Sequence, residues 1–438
     1  MSSQDYAQWL VEVSWEDLPP EVQRQTRRCV KDILATAAGS RCLPAHETML
    51  RLVGAQYGPG PAPLWFAEQE SSFVGSCYFN AQVTDSLDCH DGFRPNKGHC
   101  GATVVPVALG ACALRDDHIS GVELLTAIAV GYEIASRAGI ALHALYAPHY
   151  HASGSWAALG AAAAGAKLLR LPVEQVDAVL GMAEYYAPVC PMLRCTDHPS
   201  IVKDAAGPGA WAAGMALALG REGLPGLPSL LTEEPLGREQ AATVGEDWMI
   251  LRQYFKPYPV CRWAQPVVEG LRLLRDENGF SWEDIAAIEV ETFENAANLT
   301  HFPPTHSDAA QYSLPWAVAV FAVDGEIGVR QVQPSRLEDP RVLAMGERIV
   351  TRVAEDIQAR FPAEALARTT VRLKDGRELT GPTLGARGDY TNPLSDEELD
   401  AKAEALLQAG LGESAAAELL PLLDGLEDVS AHRLLHAL

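Results

Sequence analysis

Apolar positions recur at the helical interval through residues 5–40, and Pro19-Pro20 opens the second of two helices there, running through Val22, Val30, Ile33 and Leu34. Segments 71–90, 102–116, 120–147, 155–171 and 205–220 are rich in Ala, Leu and Gly, a composition suited to closely packed helices. Gly160, Gly165 and the alanines from Ala161 let neighbouring backbones approach, which predicts a buried helix. After about residue 268 the pattern changes. Ser281-Trp-Glu-Asp284 has the spacing of a capping box, and Ile288, Val290 and Thr292 alternate with Glu289 and Glu291 as in a half-buried strand. Val371 and Leu373 alternate with Arg372 and Lys374 before Asp375-Gly376, a hairpin signal. Helical patterns are predicted at 311–323 and 340–356. From Ser395 the chain returns to helix, with Glu397 and Glu398 in the first turn. The reading is a mainly α protein: helices over 1–268, an α+β domain over 269–398, and helix again over 399–438.

One stretch breaks this pattern. Within residues 85–106, DSLDCHDGFRPNKGHCGATVVP, the twelve from 88 to 99 hold two carboxylates (Asp88, Asp91), two histidines (His90, His99) and two cations (Arg94, Lys97) among Gly92, Pro95 and Gly98. A helix interior does not tolerate that Pro and Gly content, so a loop between two helices is predicted. Loops held by rigid elements commonly carry chemistry.

Composition narrows the classes of partner. With 48% apolar and 21% charged residues the chain is ordinary globular protein, and its net charge of −23 argues against nucleic acid or an anionic membrane as partner. An anionic substrate therefore needs a local cluster of cations. The N-terminal segment is acidic where a secretory signal has a basic region, and no run of about 18 apolar residues is free of charge, so a cytoplasmic protein without a membrane span is expected. Nine cysteines without a repeated C-x-x-C spacing read as reduced core thiols.

Four further segments place polar residues beside apolar ones. They are His149-Tyr-His151 before a small-residue helix, Lys203 at the mouth of another, KPYPVCRW at 256–263 presenting Tyr258, Cys261 and Arg262, and Asp308-Ala-Ala-Gln-Tyr312-Ser313 at a helix start. Together with the loop they offer a histidine or carboxylate base, a second histidine acid, a tyrosine hydroxyl and several cations. Proton removal beside a carboxylate needs that set, because the enediolate-like charge must be held while acid and base act.

Seven motifs in order carry a resemblance over nearly the whole chain: DLPPEVQRQTRRCVKDILATAAGS, DSLDCHDGF…GHCGATVVP, GYEIASR, HASGSWAALGAAAAGAKLLRL, KPYPVCRW, DAAQYSLPWAVAVFAVDGEIG and ARGDYTNPLSDEELDAK. The sequence resembles the MmgE/PrpD family, which includes 2-methylcitrate dehydratase, cis-aconitate decarboxylase and iminodisuccinate epimerase. The resemblance implies a large helical domain, 1–268 completed by 399–438, and a smaller α+β lid, 269–398, with the active site between them. It also implies a homodimer working without metal or organic cofactor on a small carboxylate. Asp88, His99, His151, Lys203 and Tyr312 fall on positions the family uses. On that pattern His99 or Asp88 is the base and His151 the acid, or the reverse, while Lys203 pairs with a substrate carboxylate and Tyr312 brings a hydroxyl from the lid. Arg94, Lys97 and Arg262 are further carboxylate clamps, and Gln265 is a further substrate-binding candidate.

Two departures stand out. Gly92 occupies a position where decarboxylase-like members carry Thr, and Gln265 one where many members carry His. The leading expectation is a hydro-lyase acting on a small di- or tricarboxylate by α-proton abstraction. Epimerisation of an amino- or imino-dicarboxylate is the near alternative and decarboxylation the third. A metal-dependent hydrolase using Asp88, His90, His99, His149 and His151 is a separate class, disfavoured because an H-x-H pair shares a face only on a strand. A non-catalytic binding protein is the remaining class.

Overall fold

The computed structural model describes residues 3–146 and 151–438. His149, among the candidate metal ligands above, lies outside the described residues.

The small-residue segment forms the helix Gly154–Leu168, at the centre of the N-terminal half. It packs against Gly121–Leu145, Gly101–Cys112, Ala206–Arg221 and Val173–Tyr186. Its closest approach is made by glycine: a Cβ at Gly160 would overlap the Gly131 carbonyl, and one at Gly131 would stand 3.0 Å from the Gly160 carbonyl. Gly121–Leu145 is long and apolar enough to cross a membrane by length and composition alone, but 94% of its apolar window is buried inside the protein. That burial includes charge. Arg137 pairs with Glu133 at 3.4 Å and donates to the carbonyls of Gln240, Thr243 and Asp247, tying the helix to the segment below it.

Beyond residue 258 the strands take over. Ile285–Thr292 runs parallel to Ile349–Val353 on one side and antiparallel to Leu366–Leu373 on the other, and Leu366–Leu373 turns through Asp375-Gly376 into Glu378–Thr380. Gly376 has φ +92°, the left-handed geometry this turn requires. As the alternation predicted, Ile288, Val290 and Thr292 are buried. The helix Gln265–Asn278 packs on the sheet, with Leu314–Asp324 against it.

The helix predicted over 340–356 needs correction. Pro340–Gly346 is helical, but Ile349–Val353 is a strand. Its β-branched residues, Ile349, Val350, Thr351 and Val353, extend along the edge that Ile285–Thr292 offers, and pairing with a distant strand overrides the local pattern.

The C-terminal helix Asp396–Leu411 opens on a reciprocal Ser395–Glu398 capping box and lies on Pro20–Ser40. From it Lys402 reaches Asp32 at 2.5 Å and the Cys89 carbonyl at 2.6 Å. A residue more than three hundred positions along the chain thereby props the 86–100 loop from beneath.

Candidate active site

The loop begins where Phe73–Asp85 ends and is pinned in two ways. Gly92–Phe93 pairs antiparallel with Gln253–Tyr254, in register Gly92 to Tyr254. Behind it, Tyr132 donates to Asp91, and a Cβ at Gly101 would overlap the Tyr132 hydroxyl, so glycine is required there. Burial and the nearby Asp32 carboxylate push Asp91 up to about 7. His90 bonds Asp85 at 3.2 Å, and that partner outweighs the burial that acts against its charged form, raising its pKa.

Asp88 adopts left-handed backbone, φ +53°, and so do Lys97, Lys203 and Ala205. For residues with a Cβ this conformation costs about 1–2 kcal/mol each, and such strain tends to gather at functional sites. Here it turns Asp88 toward the KPYPVCRW segment. Lys256 forms a buried ion pair with the Asp88 carboxylate and donates to the Asp88 carbonyl at 3.1 Å.

These segments enclose a cavity of about 260 Å³. One wall is Asp88, His99, Asp204, Tyr254 and Lys256. Arg94, Lys97, Arg262 and Tyr312 also line it, and Phe361, Pro362, Leu384 and Ala386 close it from the C-terminal half. His99 donates through Nδ1 to the Asp91 carbonyl, and its backbone N–H bonds Ser153 Oγ at 2.8 Å. With Nδ1 carrying the proton, Nε2 keeps its lone pair, 3.8 Å from Asp204 Oδ2. Burial first, and the positive charges of Lys256 and His90 next, hold the His99 pKa well below the ordinary histidine value, so the imidazole is neutral. The neighbouring Asp204 moves the opposite way. Burial and the Asp85 and Asp88 carboxylates push it up to about 7. A neutral imidazole thus faces a carboxyl group that keeps a proton near neutrality, the separation of roles that acid–base chemistry needs.

Four cations surround the pair. Arg262 is held by Gln265 Oε1 at 2.9 Å and the Arg387 carbonyl at 2.7 Å, and its guanidinium lies 4.5 Å over the Tyr254 ring. Arg94 bonds the Tyr390 hydroxyl at 2.6 Å and pairs with Asp389 at 3.3 Å. Burial, then Arg94, lowers Lys97 to about 8. Lys256 is the fourth.

The structure thus brings Asp88, His99, Tyr312, Arg94, Lys97 and Arg262 to one cavity and leaves three of the candidates outside its wall. His151 stacks on His143, with ring centroids 6.0 Å apart. From its motif the residue that reaches the site is Ser153, which bridges His99 and Asp204. Lys203 is buried behind Tyr312, its ammonium 2.6 Å from Gln311 Oε1, 3.1 Å from Asp308 and 5.3 Å from the tyrosine ring centroid. The adjacent Asp204 lines the cavity instead. Gln265 donates to the carbonyls of Tyr258 and Val260 and fixes Arg262 from behind.

Sequence reasoning passed over Asp204, Tyr254 and Lys256, each within or just before a motif it had marked. The signal for Lys256 was a lysine ahead of two prolines that force an extended, inward-turned chain. The metal-capable grouping also differs from the predicted one. Asp88, His99 and Asp204 can each bring one ligand atom within 4.8 Å of the others, whereas His90 is engaged with Asp85.

A helical half, an α+β half and a cation-lined acid–base cavity closed by both define the class of protein. The chain belongs to the MmgE/PrpD family: residues 4–251 match the MmgE/PrpD N-terminal domain and residues 258–428 the MmgE/PrpD C-terminal domain. Among curated proteins it is similar to a cis-aconitate decarboxylase of Aspergillus terreus, 22% identical over 96% of this chain and 93% of the relative. It is similar also to the cis-aconitate decarboxylases of Homo sapiens and Mus musculus, 25% and 24% identical, each over 81% of this chain and 76% of the relative.

Proposed function

We propose that the protein is a lyase for a small di- or tricarboxylate, working by proton transfer at a carbon beside a carboxylate. The observation that carries this is the neutral His99, its Nε2 turned toward a proton-holding Asp204 inside a cavity ringed by Arg94, Lys97, Lys256 and Arg262. In dehydration, His99 Nε2 takes the proton from the α-carbon, the cations hold the enediolate, and the C–O bond breaks as Asp204 gives its proton to the departing hydroxide. In decarboxylation the C–C bond breaks instead, and the same donor protonates the carbanion. The names of the relatives, which act on a tricarboxylate, favour the second cleavage. The Lys256 ammonium already supplies positive charge to Asp88, the charge a metal would otherwise bring to that cluster.

Purified protein incubated in D2O with a panel of such acids, including cis-aconitate and 2-methylcitrate, is expected to place deuterium beside a carboxylate, read by NMR: in the product of a decarboxylation or epimerisation, and in the recovered hydroxy acid of a reversible dehydration. Release of carbon dioxide marks decarboxylation, an unsaturated acid marks dehydration, and exchange without net loss marks an epimerase. No deuterium and no product across the panel refutes the proposal.

The pH profile follows from the same pair. A donor with a pKa of about 7 is lost as pH rises through that value, so kcat/KM falls on the alkaline side from about pH 7. Because the His99 pKa is depressed, its neutral form persists below the usual histidine range, and the acid limb lies below about pH 6.5. A profile that stays flat from pH 6.5 to pH 9 would remove Asp204 from the donor role.

A further inference from the structure

Tyr254 lines the cavity, and the chemistry above gives it no task. It is 4% exposed, and its hydroxyl makes no hydrogen bond to protein among the described residues. A largely buried phenol usually finds a hydrogen-bond partner within the protein, and this one lines the cavity instead. Its position is built with care. Tyr254 stands opposite Gly92 in the short antiparallel pair, and its ring folds over that glycine so closely that a Cβ at position 92 would overlap Cζ and Oη. Gly92 does not have the positive φ that would demand glycine, so the ring alone excludes a side chain there. The ring also carries the Arg262 guanidinium at 4.5 Å, and the His99 ring meets it edge-on at 6.1 Å.

We propose that Tyr254 is a substrate-binding residue, its hydroxyl donating to a substrate carboxylate beside Arg262, and that Gly92 is the specificity determinant that lets the ring lie there. The inference rests on the carboxylate-lyase reading. It explains why the loop gives up a side chain at 92: the polar group comes from the opposite strand, with a longer reach. Burial, which raises the phenol pKa well above its ordinary value, keeps the proton available for donation. A clamp of one hydroxyl and one fixed guanidinium suits a planar carboxylate and holds it equally before and during the reaction, so its loss shows in KM more than in kcat.

The test is Tyr254→Phe, which keeps the ring, its packing and the Arg262 stack while removing the donor. Succinate, an unreactive dicarboxylate, is the calorimetric probe, and the turned-over acid from the panel gives the kinetics. The expected result is succinate affinity at least tenfold weaker than wild type, KM raised by a similar factor, kcat within threefold, and an unchanged melting temperature. Gly92→Ala is expected to weaken succinate binding likewise, and the double variant Gly92→Ala/Tyr254→Ala to restore the folding that the collision disturbs. Succinate affinity and KM in Tyr254→Phe equal to wild type overturn this inference and leave the lyase reading standing. Wild-type protein that binds no dicarboxylate and turns over none overturns both.

Discussion

Replacing His99 with Gln is expected to lower kcat for dehydration by about 10²- to 10⁴-fold, the range for losing a positioned general base. Glutamine keeps a side-chain N–H for the Asp91 carbonyl, which His99 Nδ1 now satisfies, so the loop retains its anchor. It cannot accept a proton, which isolates the base function from the structural one. Succinate affinity is expected to stay within a few fold of wild type, because the cations that grip carboxylates come from other segments. Steady-state kinetics with calorimetry on the same preparation checks both halves. A fall of less than tenfold in kcat would assign the proton transfer to another group.

The second large effect is on stability. Lys256→Met is expected to cost about 3–5 kcal/mol, since it strands the Asp88 carboxylate in a site where both partners are almost fully buried. The double variant Lys256→Met/Asp88→Asn is expected to recover most of that loss, because no charge is then left without a counterion. Urea denaturation of the two single variants and the double variant gives the coupling directly. Additive losses in the double variant would mean that the pair does not hold the loop.

Both predictions concern groups that local reasoning reached unevenly. His99 and Asp88 were legible because a loop so rich in charge, between two apolar helices, has few structural reasons to exist. Lys203 and Gln265 were marked, but the cavity wall takes Asp204, next along the chain, and Lys256, at the head of the same motif. The left-handed turn at Lys203 and Ala205 sends the lysine under Tyr312 and leaves the aspartate facing His99. No periodicity encodes which of two adjacent side chains a turn will face inward. The Gly92–Tyr254 contact is harder still to foresee, because its partners lie more than 160 residues apart and meet only through a two-residue ladder.

What the chain determines by itself is local. Apolar spacing specifies the helices, the Ser395–Glu398 and Ser281–Asp284 boxes mark where elements begin, and alternation specifies the strands Ile285–Thr292 and Leu366–Leu373. Tertiary structure alone decided that Ile349–Val353 extends as a strand, that Lys402 supports the loop, and that His99 and Asp204 exchange the usual order of histidine and carboxylate acidity. The physical reason is that helix and strand preferences act between near neighbours in sequence. A proton's affinity for its site depends on the burial and charge that distant segments bring around it.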